Sequence, residues 1–385
     1  MREFEFCWTT KIIFGRGSVS QLHSVVSSFG NSVLFVYGCN SIKTNGVYND
    51  VLGKLSGLKV FELGGVASNP DVDLVRQGVE ICKKNSVEVI LAVGGGSVID
   101  CAKMISVALY RPEDPWQLIK NRIDCSLSVP LIALVTLAGS GSEVNAEAVI
   151  SNYATKEKLT YCSTSLYPKV SIIDADLFKT VPTKLWQSGV LDMFSHLLEQ
   201  YFVTGSATVN DALIESLMHT IVNLNKSLKS SSIDDIVCEE LIWCSALADS
   251  MVLSLGNEPS AYPLHTIEHE ITNLFGIAHG EGMAMIIPAW LDFVKYAGEK
   301  CKIARLGRAV FAVDETDDDL CIEQTINRIV EFIYSLNLQP NLRSLSLSEE
   351  DVHCIANGAV RAEDLSAAFP PLTEKEVIQI LKKAL

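Results

Sequence analysis

The sequence predicts an α/β N-terminal domain built on a mostly parallel sheet, followed by an all-α C-terminal domain. Three observations carry that prediction. Over the first ~175 residues, short β-branched runs alternate with helical patterns, the signature of α/β architecture. Those runs are almost continuously apolar, as strands buried on both faces by flanking helices must be. After Asp174-Ala-Asp-Leu-Phe-Lys-Thr-Val-Pro182 the strand signal stops and helical periodicity continues to the end. The boundary therefore falls near residue 180, giving domains 1–180 and 181–385.

In chain order, the expected strands are Ser32–Tyr37, Lys59–Leu63, Val87–Val93, Leu131–Val135 and Val170–Ile173. Between the second and third lies Val72–Asn85, whose Leu74, Val75, Val79 and Cys82 share one side of a helix. The second domain is read as helices over Asp211–Leu228, Asp235–Leu255, Ser260–Phe275, Cys321–Leu336 and Glu374–Leu385. Neither a low-complexity linker nor an internal repeat interrupts them. A cleft between the domains is the expected place for a site.

Composition narrows the function. The 31 basic and 46 acidic residues give a net charge of −15, which argues against a nucleic-acid or anionic-membrane partner. A polyphosphate ligand stays open, because local backbone amides can hold one against an acidic average. The eleven cysteines are dispersed with no C-x-x-C pair, and Met-Arg-Glu-Phe-Glu-Phe is not a signal-peptide pattern. Apolar runs are far shorter than the ~20 residues a bilayer span needs. These features predict a cytoplasmic protein in a reducing compartment.

The predicted strand at Val87–Val93 runs into Gly94-Gly95-Gly96-Ser97-Val-Ile-Asp100 and then a helical stretch. Glycines there allow a tight turn and close approach of a ligand. The helix that follows aims free N–H groups and its positive dipole end at the loop. Ser97 with Asp100 also fits a helix-capping pair. A second loop, Thr136-Leu-Ala-Gly139-Ser140-Gly141-Ser142-Glu143, follows the next strand and is placed to embrace the same ligand. Gly-rich turns often serve geometry alone, but two such loops after parallel strands favour nucleotide binding. The pattern is not the G-x-G-x-x-G fingerprint, so an ordinary Rossmann domain is not predicted.

Four of the seven histidines and one aspartate lie in two short stretches. Asp192 and His196 are four apart, as are His265 and His269, so on a helix each pair shares a face. His279 follows a Gly276-containing loop. A lone histidine on an apolar face is more often a packing residue; the joint spacing favours a divalent-metal site. Three imidazoles and a carboxylate leave an open position, as catalytic rather than structural sites do. His23, His219 and His353 lack such company and are read as surface or packing residues.

Together these motifs resemble the iron-containing (group III) alcohol dehydrogenase family, over most of the chain to at least Pro288. The match rests on Gly94-Gly-Gly-Ser-x-x-Asp100, Gly139-Ser-Gly-Ser-Glu143, Asp192/His196, and His265, His269 and His279. The resemblance implies a dehydroquinate synthase-like dinucleotide-binding domain and a helical metal-binding domain, with Asp192, His196, His265 and His279 holding Fe²⁺ or Zn²⁺. His269 would then line the substrate pocket and take part in proton transfer. Asp100 and Thr136–Gly139 would position the nicotinamide end, and Gly94–Ser97, Ser140 and Lys158 would contact cofactor.

The run Tyr37-Gly38-Cys-Asn-Ser41-Ile-Lys43-Thr-Asn-Gly46-Val-Tyr48 is similar to the Y-G-G-G-S-x-K-x-x-G-V segment of the butanol dehydrogenase and broad-range aldehyde reductase branch. Cys39 and Asn40 depart from its glycines. Members that prefer NAD often carry an aspartate after this strand; with Gly38, Ser41 and nearby Lys43 here, NADP(H) is expected over NAD(H). The implied reaction is reversible hydride transfer between NAD(P)H and a small primary alcohol or aldehyde, in a homodimer. The alternatives are a same-fold enzyme of the glycerol dehydrogenase or dehydroquinate synthase type, whose ligand patterns differ, and a non-catalytic nucleotide sensor.

Overall fold

A computed structural model describes residues 1–205, 207–229, 233–298 and 300–385. Two compact units emerge: Cys7–Pro182 with Cys238–Ala246, and Met1–Phe6 with Thr183–Val237 and Leu247–Leu385.

The first unit carries eight strands: β1 (Lys11–Phe14), β2 (Ser32–Gly38), β3 (Lys59–Val66), β4 (Val89–Gly94), β5 (Leu131–Val135), β6 (Glu147–Asn152), β7 (Glu157–Cys162) and β8 (Val170–Ile173). Six form one sheet in the order β1-β8-β5-β4-β2-β3, every pair parallel. Alternation along each strand divides the core into two faces. Leu34, Val36, Ile90 and Ala92 pack on one side with the helices Val72–Asn85 and Gly96–Ala108. Val33, Phe35, Tyr37, Leu91 and Val93 pack on the other with Leu22, Val26 and Val51. Burial on both faces is why these strands read as unbroken apolar runs.

All five expected strands form, and Leu131–Val135, Val170–Ile173 and the helix Val72–Asn85 match residue for residue. The apolar run at Val87 enters the sheet two residues later, at Val89. Three strands were not anticipated. β1 is a four-residue edge strand, too short to show a pattern. β6 and β7 form a separate antiparallel hairpin, and Glu147, Ser151, Asn152, Glu157 and Lys158 mask its alternation.

Strand order reverses at β2, with β3 on one side and β4 on the other. In open parallel sheets such a switch point opens a crevice at the carboxyl ends of the strands, where ligands bind. Gly38 ends β2 and Gly94 ends β4, so the first of the two expected nucleotide loops and the segment expected to set the cofactor choice both start at those carboxyl ends.

The second unit is helical among the described residues. Three of its helices matter for function: Thr183–Tyr201, Pro263–Phe275 and His279–Tyr296. Pro263 opens the second, where its missing N–H costs nothing, and Gly276 (φ 64°) closes it in the left-handed conformation glycine favours. Only Gly276–Ala278 separate it from the third, so His265 and His279 are brought round on consecutive helices.

Candidate active site

Asp192 and His196 sit one turn apart on Thr183–Tyr201, within a stretch from Gly189 to Tyr201 that is buried throughout. His265 lies in the first turn of Pro263–Phe275, and His279 is the first residue of the helix that follows. These placements converge three imidazoles on one carboxylate oxygen. Asp192 Oδ1 is 3.8 Å from His196 Nε2, 3.6 Å from His265 Nε2 and 3.3 Å from His279 Nε2. The His196 and His265 rings stack with centroids 4.5 Å apart, and His265 lies 5.2 Å from His279.

Asp192 Oδ1 and His265 Nε2 are buried with no hydrogen-bond partner among the described residues. Burying unsatisfied polar atoms costs free energy. The donor atoms of Asp192, His265 and His279 all lie within 4.8 Å of one another, and His196 adds a fourth from one turn along. One carboxylate oxygen with imidazole nitrogens is an ordinary donor set for Zn²⁺ or Fe²⁺. A divalent cation therefore fits this cluster and would satisfy its orphaned atoms.

The charges agree. Burial would raise the Asp192 carboxyl, but the neighbouring imidazoles of His196, His279 and His265 outweigh it and hold the group well below the usual carboxylate range. Burial would lower His265, yet Glu199 and Asp192 hold it well above an ordinary imidazole; Glu268 and Asp192 likewise raise His279.

His269 lies one turn beyond His265, with its ring 6.4 Å from that of His265 and 5.7 Å from that of His279. It is half-buried and stands outside the Asp192 cluster, though it groups with Glu268 and His279. Sequence reasoning missed two residues here, Glu199 and Glu268. Their carboxylates accept hydrogen bonds from Nδ1 of His265 and of His279 respectively. The available signal was spacing: each glutamate follows a ligand candidate by three residues, His196 and His265. Of the histidines set aside, His23 faces the Lys54 carbonyl and His219 that of Val310.

The nucleotide loops form a second cluster, in the sheet unit. The helix Gly96–Ala108 begins with Gly95 as its N-cap and no side-chain capping bond. Ser97 is therefore not the expected cap; it sits in the first turn and its hydroxyl donates to the Ser68 carbonyl at 2.5 Å. The glycines are required by the protein's own packing. A Cβ on Gly94 would lie 2.4 Å from Val98 Cγ2, one on Gly95 3.0 Å from Leu137 Cβ, and one on Gly96 2.3 Å from Ser140 Oγ. Gly96 and Ser140 thus bring the two loops together. Val98 also underlies Gly38, drawing in the end of β2.

Asp100 clasps the second loop: its Oδ1 accepts from Ser142 Oγ at 2.5 Å and its Oδ2 from Val149 N–H at 3.0 Å. Thr136 N–H donates to the Gly94 carbonyl, and Gly139 N–H donates to Ser245 Oγ at 2.7 Å. Lys158 is buried on β7, opposite Ser151 in the hairpin. At the end of β2, Cys39, Asn40 and Ser41 are exposed. Lys43 rests over the rings of Tyr37 and Tyr48 at 4.9 and 5.1 Å, a cation–π pairing.

The chain is similar to known proteins over its whole length. Residues 9–175 match the family model for iron-containing alcohol dehydrogenase, and residues 187–385 match the C-terminal model of the same family. An NADH-dependent butanol dehydrogenase A of Clostridium acetobutylicum is 33% identical over 390 residues, spanning 100% of both chains. The NADPH-dependent aldehyde reductase YqhD of Escherichia coli is 30% identical over 358 residues, covering 91% of each. Among solved structures, an NADH-dependent butanol dehydrogenase A from Thermotoga maritima superposes with a TM-score of 0.94 at 31% identity, covering 100% of this chain and 99% of that one.

Proposed function

The chain belongs to the iron-containing alcohol dehydrogenase family, in its butanol dehydrogenase and aldehyde reductase branch, and on that premise we propose how its residues divide the work. It is an NAD(P)-dependent alcohol dehydrogenase/aldehyde reductase. Asp192, His196, His265 and His279 hold one divalent metal, Fe²⁺ or Zn²⁺. The observation that carries this assignment is the convergence of three Nε2 atoms on Asp192 Oδ1, with that oxygen otherwise unpaired. A cation bound there supplies Lewis acidity toward a carbonyl or alcohol oxygen. The substrate is a small primary alcohol or its aldehyde, and reduced nicotinamide supplies the hydride.

The uncapped start of the helix at Gly96 presents N–H groups suited to the cofactor's diphosphate. Gly94, Gly95, Gly96 and Ser97 shape that turn. Thr136, Gly139 and Ser140 form the opposing loop, and Asp100 sets its shape through Ser142 and Val149. Lys158 is a further cofactor contact. His269, outside the Asp192 cluster but within 5.7 Å (ring to ring) of His279, carries the proton to or from the substrate oxygen.

NADP(H) is preferred over NAD(H): Gly38 and Ser41 stand where a carboxylate would repel a 2′-phosphate, and Lys43 adds positive charge nearby. The relatives' names include both NADH- and NADPH-dependent enzymes, so this chain's own residues carry that choice. No disulfide forms among the described residues, which suits a reducing compartment such as the cytoplasm, and no described helix is long and apolar enough to cross a membrane. A homodimer is the assembly that the family resemblance implies.

The direct test is absorbance at 340 nm with metal-stripped protein, butanal, and NADPH or NADH, before and after Fe²⁺ or Zn²⁺. Metal-dependent oxidation that is faster with NADPH is expected. Equal rates with and without metal would remove the metal from the account; faster NADH oxidation would reverse the cofactor choice alone.

A further inference from the structure

Two buried glutamates outside the Asp192 cluster join the three ligand-bearing helices in series. Glu199 is on Thr183–Tyr201, one turn after His196. Its Oε2 accepts from His265 Nδ1, while its Oε1 accepts from the N–H of Leu264 at 2.6 Å and of His265 at 3.4 Å. It therefore caps the start of Pro263–Phe275, whose own N-cap makes no side-chain bond, and orients the imidazole there. Glu268 is on that helix and repeats the pattern one helix further on. Its Oε2 accepts from His279 Nδ1, and its Oε1 from Thr272 Oγ1.

Both carboxylates are sealed from solvent, with side chains 1% and 0% exposed. A buried carboxylate is costly unless well bonded, and these two accept bonds from the metal-site helices. The chain also makes room for one of them: a Cβ on Gly282 would lie 2.7 Å from Glu268 Oε1. An imidazole whose Nδ1–H is committed to a carboxylate keeps its lone pair on Nε2, the atom that faces Asp192 in both His265 and His279. His196 has no such partner, and its Nδ1 is buried without a hydrogen bond among the described residues.

We propose that Glu199 and Glu268 are positioning residues for the metal, fixing the tautomer and ring orientation of His265 and His279 and linking the three ligand helices in one relay. The proposal rests on the ligand assignment above. Metal affinity and ligand-field geometry then depend on two side chains outside the coordination sphere. Glu268 is the sharper probe, because Glu199 has the second task of capping a helix.

The test measures Zn²⁺ affinity by competition with a chromophoric chelator, the visible absorption of the Co²⁺-substituted protein, and thermal unfolding of the metal-free form. Glu268→Gln keeps the volume and an acceptor but removes the charge. A 10–100-fold loss of Zn²⁺ affinity is expected, with a changed Co²⁺ spectrum, while a cooperative thermal transition of the metal-free form shows that the variant folds. Thr272→Val keeps the carboxylate but removes its second anchor. It should cost up to about tenfold in affinity, the worth of one hydrogen bond, and it stands in if Glu268→Gln fails to fold. Asp192→Ala separates the two levels of the argument. If it loses the metal while both relay variants bind Zn²⁺ like the parent, the relay is wrong and the ligand set stands. If Asp192→Ala binds metal like the parent, the ligand assignment falls and the relay with it.

Discussion

A Cβ built on Gly280 would lie 2.4 Å from the backbone oxygen of Ser188, so the helix that begins at His279 can approach the Asp192 helix only where no side chain intervenes. The two helices bring His279 Nε2 within 3.3 Å of Asp192 Oδ1, and glycine at 280 sets how closely they pack. Gly280→Ala should therefore destabilise the fold by ~1–3 kcal/mol, the usual cost of overpacking, and lower metal content through displacement of His279. Thermal unfolding and metal analysis on one preparation check both. A normal unfolding temperature with full metal would show that the contact yields cheaply.

The two histidines of Pro263–Phe275 should behave differently. His265→Ala is expected to abolish bound metal and aldehyde reduction while leaving the sheet unit folded. His269→Ala should keep the metal and lose turnover by roughly 10²-fold, as for a general acid–base group. Metal content measured beside kcat decides it; an unchanged kcat in His269→Ala would return that residue to packing.

Acidity gives a third expectation. In the metal-free protein His265 and His279 are held above an ordinary imidazole, chiefly by Glu199, Glu268 and Asp192 against the opposing effect of burial. A histidine raised on folding contributes stability that is complete below its unfolded pKa of about 6.5 and disappears as pH rises through the folded value. Metal binding runs the opposite way, since the cation must replace the protons on Nε2. The gap in unfolding temperature between metal-loaded and metal-free protein should widen from pH 6 upward. A gap that is constant or narrows with pH would contradict the assignment.

Cofactor choice should follow the charge at the end of β2. Gly38→Asp places a carboxylate beside the expected ribose site, and should raise KM for NADPH far more than for NADH while metal content stays constant. Steady-state kinetics with both cofactors read this out. Equal effects on the two would move the determinant elsewhere.

Much of this was legible in the sequence because the chemistry is local. Asp192/His196 and His265/His269 announce themselves by helical spacing, and the Gly94–Ser97 and Gly139–Glu143 loops by their position after apolar strands. Glu199 and Glu268 were not legible, although each lies three residues from a histidine. A buried glutamate in a helix looks like any surface glutamate until tertiary packing shows what it bonds. In the sequence the glycines of the nucleotide loop signal close approach of a ligand; only the fold shows that Val98, Leu137 and Ser140 also fill the space their side chains would take. The hairpin of β6 and β7 escaped because its polar residues hide the period of two.

X-ray absorption at the metal edge of Zn²⁺- or Fe²⁺-reconstituted protein tests the central claim most directly. Multiple scattering from three imidazoles, with one carboxylate oxygen in the same shell, is the result expected from His196, His265, His279 and Asp192. Fewer than three imidazoles, or any sulfur ligand, would contradict it.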